Sequence, residues 1–327
     1  MRKLESRRHA LVQLGALALS AAAFPSAFAQ SWPSRTVRIV VPWAPGGLVD
    51  TGGRVIGDAL QKALGHATAV ENVPGAAGTL GAGQVAKAAP DGHTLLMATS
   101  SLAIDVAGGR SLTFSPTRDL VPVALVADTQ SAVIVPPSSA IKSVGDLVQA
   151  AKAKPGGLEY GTPGIGSPAH LFVELFAQTA GVQFLHVPYG RSPAINDLMG
   201  GRLAFMFATV PVSVPQIRNG NVRALAVTGS RRSEALPDVP TVAEAGVAGY
   251  EAGQWLGVFA PAGTPGEIIE RLNKEVSAAV RAPATAQALK NRGLEPRTAT
   301  AEEFKGVMAA EIDKWRRVMQ AAKIQLK

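Results

Sequence analysis

VPWAPGGLVD, residues 41 to 50, joins two unlike patterns. Upstream, Val37-Arg-Ile-Val-Val-Pro42 is a short apolar run rich in β-branched residues, which predicts a buried strand. Downstream, Leu48, Val55, Ile56, Leu60 and Leu64 recur at helical spacing. Glycines at a strand-to-helix turn let the main chain approach a ligand closely, and the first turn of the helix offers unpaired N–H groups to an anion. A phosphate loop of the P-loop type needs a Lys-Ser/Thr pair here, and none follows.

Strand, Gly-Pro loop and helix recur down the chain, the pattern of α/β units with parallel strands. Ala67 to Glu71 reads as a strand, followed by Asn72-Val-Pro-Gly-Ala-Ala-Gly-Thr-Leu-Gly81 and a helix running through Val85 and Lys87. Thr94 to Ala98 is a third strand, ending in the hydroxyl cluster Thr99-Ser100-Ser101. Leu158 to Gly161 leads into Thr162-Pro-Gly-Ile-Gly-Ser-Pro168, where Ser167 suits an N-cap and Pro168 the first helical position, and Gly181 stops the helix. Further strands are expected at 184–187, 203–207, 222–227 and 254–260. In the tail, Thr264-Pro265 opens one helix and Thr300 with Glu303 forms a capping box for another. The apolar series Phe304, Met308, Ile312, Trp315 and Met319 requires a core, expected in the N-terminal half. In open α/β sheets ligands sit outside the carboxyl ends of strands, where these Gly-rich loops lie.

The first 29 residues stand apart. Arg2, Lys3, Arg7 and Arg8 precede the apolar stretch Leu11 to Phe24, and Ala27-Phe28-Ala29 is a small-x-small cleavage signal, so an exported chain starting at Gln30 is expected. The apolar run is too short to span a bilayer. Arg7-Arg8 leaves both the general and the twin-arginine routes open. Four of the 32 Lys/Arg and one of the 24 Asp/Glu fall in this leader, so the mature chain carries a net charge of +5. No basic run is interleaved with aromatics, which argues against nucleic acid. The absence of Cys excludes disulfides, Cys-based metal sites and Cys nucleophiles. His66, His93, His170 and His186 lack metal-ligand spacing, and neither a metal nor a cofactor is expected.

Two enzyme-like patterns are weak. Ser167 and His170 are near neighbours, but Gly164-Ile-Gly166-Ser167-Pro168 is not G-x-S-x-G, and Pro168 removes an N–H that a nucleophile elbow uses. A secreted hydrolase using Ser167 on a two-lobed scaffold is the alternative function. Gly81-Ala-Gly83-Gln-Val-Ala86 matches a dinucleotide fingerprint but comes about ten residues after the strand, behind Pro74, and suits helix packing. Asp50 admits three roles: complementing the helix N-terminus, binding a ligand amine, or solvation. Trp43 and Trp255 are candidates to wall a cleft, against ordinary core roles.

Six stretches, VPWAPGGLVDTGGR, VENVPGAAGTLGAGQVAKAAPDGHTLL, YGTPGIGSPAHL, VPYGRSPAINDLMGGRLAFMF, VRALAVTGSRRSEALPDVPTVAEAG and WLGVFAPAGTP, cover nearly the whole mature chain in order. In them the chain resembles the Bug-type periplasmic solute-binding proteins of tripartite tricarboxylate transporters. The resemblance implies a type II periplasmic-binding-protein fold, with two α/β lobes, a ligand cleft between them and two hinge crossings. It implies a monomeric, non-enzymatic periplasmic receptor that passes a small mono- or dicarboxylate to membrane permease subunits. Lobe 1 is expected at residues 30–128 plus 254–327 and lobe 2 at 129–253. By resemblance, Trp43, Ala44, Pro45, Gly46, Gly47, Asp50, Ala77, Gly78, Thr79, Thr99 and Ser100 face the ligand from lobe 1. Gly164, Gly166, Ser167, His170, Tyr189 and Arg191 would face it from lobe 2. Between Tyr189 and Asp197 the chain reads Gly-Arg-Ser-Pro-Ala-Ile-Asn, where the family more often has a Lys/Arg-Gly pair and one extra residue. Ligand identity is therefore not carried over, and Arg191 stands either as a bidentate carboxylate partner or as a solvated loop arginine.

Overall fold

The computed structural model describes residues 32–190 and 192–326; the expected leader and Arg191 lie outside them. Residues Arg35–Lys327 form one compact unit. The opening stretch folds as read. β1 (Val37–Val41) turns through Pro45-Gly46-Gly47 into α1 (Leu48–Leu64), which ends on Gly65 in the left-handed conformation. Ile56, Leu60 and Leu64 on the inner face of α1 are buried. β2 (Thr68–Asn72), α2 (Thr79–Ala86), β3 (Thr94–Thr99) and α3 (Ser101–Ala107) follow. β1 pairs in parallel with both β2 and β3.

Beyond β3 the expectation of parallel strands holds only in part. β4 (Leu120–Thr129) runs into β5 (Ser131–Val135) with only Gln130 between them, so no crossover brings the chain back beside its neighbour. The second half then forms α4 (Val144–Ala153), β6 (Glu159–Thr162), α5 (Pro168–Ala180), β7 (Leu185–Pro188), α6 (Ala194–Met199), β8 (Met206–Thr209), α7 (Val210–Arg218) and β9 (Arg223–Val227). β6 and β7 are parallel, whereas β5 is antiparallel to both β8 and β9. β10 (Gln254–Pro261) returns and inserts antiparallel between β3 and β4. α8 (Gly266–Arg281), α9 (Pro283–Lys290), β11 (Glu295–Pro296) and α10 (Ala301–Ala321) complete the chain. The large sheet therefore has the order β11-β4-β10-β3-β1-β2, apart from the three-stranded sheet β8-β5-β9 and the pair β6-β7.

α5 starts and stops as its sequence dictates. Ser167 Oγ accepts the His170 main-chain N–H, Pro168 takes the first turn, and Gly181 closes the helix with φ 63°. At α10, Thr300 and Glu303 exchange the reciprocal bonds of a capping box. The inner face of α10 was expected on the N-terminal half, and Phe304, Met308 and Ile312 do pack there with Val40, Leu96, Trp255 and Phe259. The helix then continues: Trp315, Val318 and Met319 enter a second core with Phe172, Phe176, Phe207 and Tyr250. One helix thus contributes to two cores.

Candidate functional site

Asp50 organises the first loop. Its buried carboxylate accepts from the Gly46 N–H at 2.8 Å, from Arg54 Nε at 3.0 Å and from Asn72 Nδ2 at 2.9 Å. Asn72 Nδ2 also donates to the Trp43 carbonyl at 3.0 Å, tying the end of β2 to the loop. Burial alone would raise the Asp50 pKa, but the bonds from Arg54, Gly46 and Asn72 outweigh it and hold the carboxyl below its usual range. Of the three roles open to Asp50, the structure gives it the internal one. The Gly46 N–H is consequently spent within the loop. Gly47 is the N-cap of α1 and provides no side-chain cap, so the first helical N–H groups, from Leu48 onward, keep their donor capacity and the positive end of the helix dipole. Gly46, Gly47, Leu48 and Thr51 line a cleft of about 860 Å³, facing Thr209 to Val212 of the second half. Ala44 and Pro45 are exposed on the same turn.

The second loop is strained. Gly75, Ala76, Ala77 and Gly78 all have positive φ, at 146°, 46°, 55° and 93°, a conformation that costs an alanine of order 1 kcal/mol. A Cβ on Gly78 would stand 3.3 Å from the Trp43 ring, so glycine serves there both for φ and for room. The Gly78 and Thr79 N–H groups turn inward to the carbonyls of Gly75 and Ala76. Both N–H groups are therefore spent within the turn, while Ala77 is exposed. Trp43, Ala77, Gly78 and Thr99 meet around a pocket of about 10 Å³, roughly the size of one water, with Ser101 and Asp105 completing its wall. Thr99 Oγ1 and Ser101 Oγ are 2.8 Å apart. Asp105 bonds Arg110 Nε at 2.6 Å, and burial still pushes its carboxyl above the usual range. Ser100 is wholly buried and lines neither cavity. Trp255 packs edge-on against Phe304, with ring centroids 5.0 Å apart, as a core residue.

The third element is the loop after β6. Thr162 Oγ1 accepts the Gly164 N–H at 3.1 Å and lies 2.6 Å from His186 Nε2. Gly166, at φ 75°, donates its N–H to His170 Nδ1 at 3.1 Å. His170 is buried and stacks on His186 at 4.0 Å between ring centroids. Burial and the neighbouring His186 lower its pKa to about 4. It braces the loop after β6 and does not line the cavity. Pro163, Ser167 and Gly190 do line one, of about 440 Å³, with Ile195, Met206 and Ala208 as its apolar wall. Tyr189 turns away, its hydroxyl donating to Asp197 Oδ2 at 2.7 Å. Thr209 and Val212 border both this cavity and the cleft at Gly47.

Ser167 has no catalytic partner in this arrangement: its Oγ accepts a main-chain N–H, and the imidazole of His170 is engaged by Gly166. Sequence reasoning missed Arg54, Asn72, Ser101, Asp105 and Thr209. The i,i+4 spacing of Asp50 and Arg54 was a usable signal. The others reach the site from the ends of β2 and β8 and from α3, and carry no local one.

A sequence model of the family described as "Tripartite tricarboxylate transporter family receptor" matches residues 53–324. Protein BugT of Bordetella pertussis is 37% identical over 302 residues, 91% of this chain and 93% of that protein. Among solved structures, Rpa4515 of R. palustris with adipate superposes with a TM-score of 0.79 at 35% identity, covering 90% of this chain and all of that one. MatC of Rhodopseudomonas palustris with bound malate gives 0.74 at 33% identity, covering 88% and 99%. With the two-lobed α/β fold, the uncapped helix at Gly47 and this match over most of its length, the chain belongs to the Bug-type receptors of tripartite tricarboxylate transporters.

Proposed function

We propose that the protein captures a small organic carboxylate in the periplasm, between the Gly47 turn and Ala77 on one side and the Ser167 loop on the other, and presents it unchanged to membrane permease subunits. The observation that carries this reading is the uncapped N-terminus of α1, with Gly46, Gly47 and Leu48 lining the cleft and oriented dipoles suited to one negative charge. The bound adipate and malate of the two related structures support the same ligand class. Lobe 1 comprises residues 30–128 and 254–327, and lobe 2 residues 129–253. Pairing of Thr129 with Gln254 and of Asp128 with Trp255 supports hinges there, because it sets the two crossings side by side. Residues 1–29 serve as the export leader, and the mature receptor works as a monomer. A thermal-shift screen of organic acids tests the function: an acid should raise the melting temperature and be recovered unaltered. Turnover of that acid by the purified protein, abolished in Ser167→Ala, would instead establish the hydrolase.

A further inference from the structure

The loop after β6 has little of its own to hold it. Of Pro163 to Ser167 only Gly166 is buried, and Ile165, the one large apolar side chain there, is 60% exposed. Gly166 is fixed from two sides. Its N–H donates to His170 Nδ1, and the place where a Cβ would stand is filled by Leu326, with which that Cβ would collide. Gly108, at the end of α3, meets Leu326 in the same way: an added Cβ would lie 2.5 Å from the leucine side chain. Leu326 is buried in the core that also holds Leu171, Phe172 and Phe176 of α5. The chain takes a strained route to put it there. After α10 ends, Lys323 adopts the left-handed conformation at φ 54° without being a glycine, while its N–H bonds the Gln320 carbonyl and that of Ile324 the Met319 carbonyl. Beyond this turn Ile324 is partly buried, Gln325 exposed and Leu326 buried.

We infer that Leu326 is a positioning residue for ligand capture: wedged between Gly108 and Gly166, it sets the height of the 163–167 loop against the end of α3. The inference rests on the receptor reading above for the capture step. α3 starts at Ser101, in the wall of the small pocket shared with Trp43 and Ala77, and stops against Leu326; the loop ends at Ser167, in the wall of the larger cavity. One aliphatic side chain therefore spaces two elements that border the two sides of the proposed site. Leu326 lines neither cavity, so it acts through the loop. Truncating it opens space beside a glycine that has no side chain to fill it, and close packing is what holds such a segment in one place. A loop released in this way has to be ordered by the ligand, at a cost in affinity.

Amide hydrogen exchange on the purified, ligand-free protein reads the loop independently of any ligand. Leu326→Ala should speed exchange in a peptide spanning residues 162–167 by at least about tenfold. A merely destabilising change would instead speed the slowest amides, in β1 and β3, and leave the loop as it was. Leu326→Met, close in volume, should restore the slow exchange, and Leu326→Val carries the comparison should the alanine variant not fold. Calorimetric titration with adipate and with malate then reads capture. An acid bound by the wild type should bind Leu326→Ala at least about fivefold more weakly and Leu326→Met as tightly as the wild type. Unchanged loop exchange in folded Leu326→Ala overturns the inference, and so does faster exchange with undiminished affinity. A wild-type protein that binds neither acid counts against the receptor reading for this ligand class, and the exchange result still decides whether Leu326 sets the loop.

Discussion

Asp50 is worth more to the loop than to any ligand. Removing its carboxylate in Asp50→Ala leaves the Gly46 N–H, Asn72 and Arg54 without their common acceptor. The expected cost is roughly 1–3 kcal/mol of stability, read by urea denaturation. Gly47 is the opposite case: its φ is −77°, and an added Cβ would meet only the Ala44 carbonyl at 3.6 Å. Gly47→Val should therefore fold, losing about 1 kcal/mol of capping, and block access to the first helical N–H groups. Gly78→Val, forced to φ 93° against Trp43, should destabilise as well, so only the Gly47 variant separates binding from folding. His170 gives the pH dependence. Its pKa is lowered to about 4 in the folded protein against an ordinary value near 6.5, so the unfolded chain takes up the proton first and stability falls as pH drops through that interval. The groups facing it are His186 on β7, Glu174 on α5 and Tyr160 on β6. His170→Asn, whose amide oxygen can accept the Gly166 N–H, should flatten the acid limb of the melting-temperature profile by an amount worth up to roughly 3 kcal/mol. Superimposable profiles for variant and wild type between pH 4 and 6.5 would exclude the assignment.

α10 makes the two cores one cooperative system. Trp315 is fully buried and stacks on Phe172 at 5.5 Å, while Phe304, three turns earlier, sits against Trp255 and Phe259. Trp315→Ala should cost roughly 3–5 kcal/mol and lower a single denaturation midpoint. Fluorescence and circular dichroism transitions that separate in the wild-type protein would show the cores to be independent. At this scale the sequence is informative where the cause is local. The caps of α5 and α10, the stop at Gly181 and the inner faces of α1 and α10 were all legible from residue type and spacing. β4 and β5 were not read at all, and the antiparallel entry of β10 was not foreseen. Strand direction is set by where the chain goes next, which no window of residues contains. The direction of individual N–H groups in the Gly46 and Gly78 turns was equally hidden, because it depends on Asp50, Gly75 and Ala76 accepting them. Most of the candidate site residues were named through family resemblance, and the bracing role of His170 is visible only in the folded chain.

The whole molecule turns on the place where β4 and β10 pass side by side. Arg297 bonds both carboxylate oxygens of Asp128 at 3.1 Å, Gln130 Nε2 bonds Glu295 Oε1 at 3.0 Å, and Arg231 pairs with Glu295 at 2.9 Å. Burial raises the Asp128 pKa despite Arg297, yet both side chains stay partly exposed, so the proposed hinge carries an ion pair that solvent screens. Two adjacent crossings permit rigid-body closure with few dihedrals changing. Solution scattering should accordingly record a smaller radius of gyration with a bound acid than without, and identical profiles would count against closure. The central claim, a carboxylate held by the main chain at the start of α1, is tested most directly by titrating an organic acid identified in the thermal-shift screen into wild-type and Gly47→Val proteins of verified fold. The account predicts binding by the wild type and a loss of more than about tenfold in the variant. Equal affinity in the two proteins would contradict it.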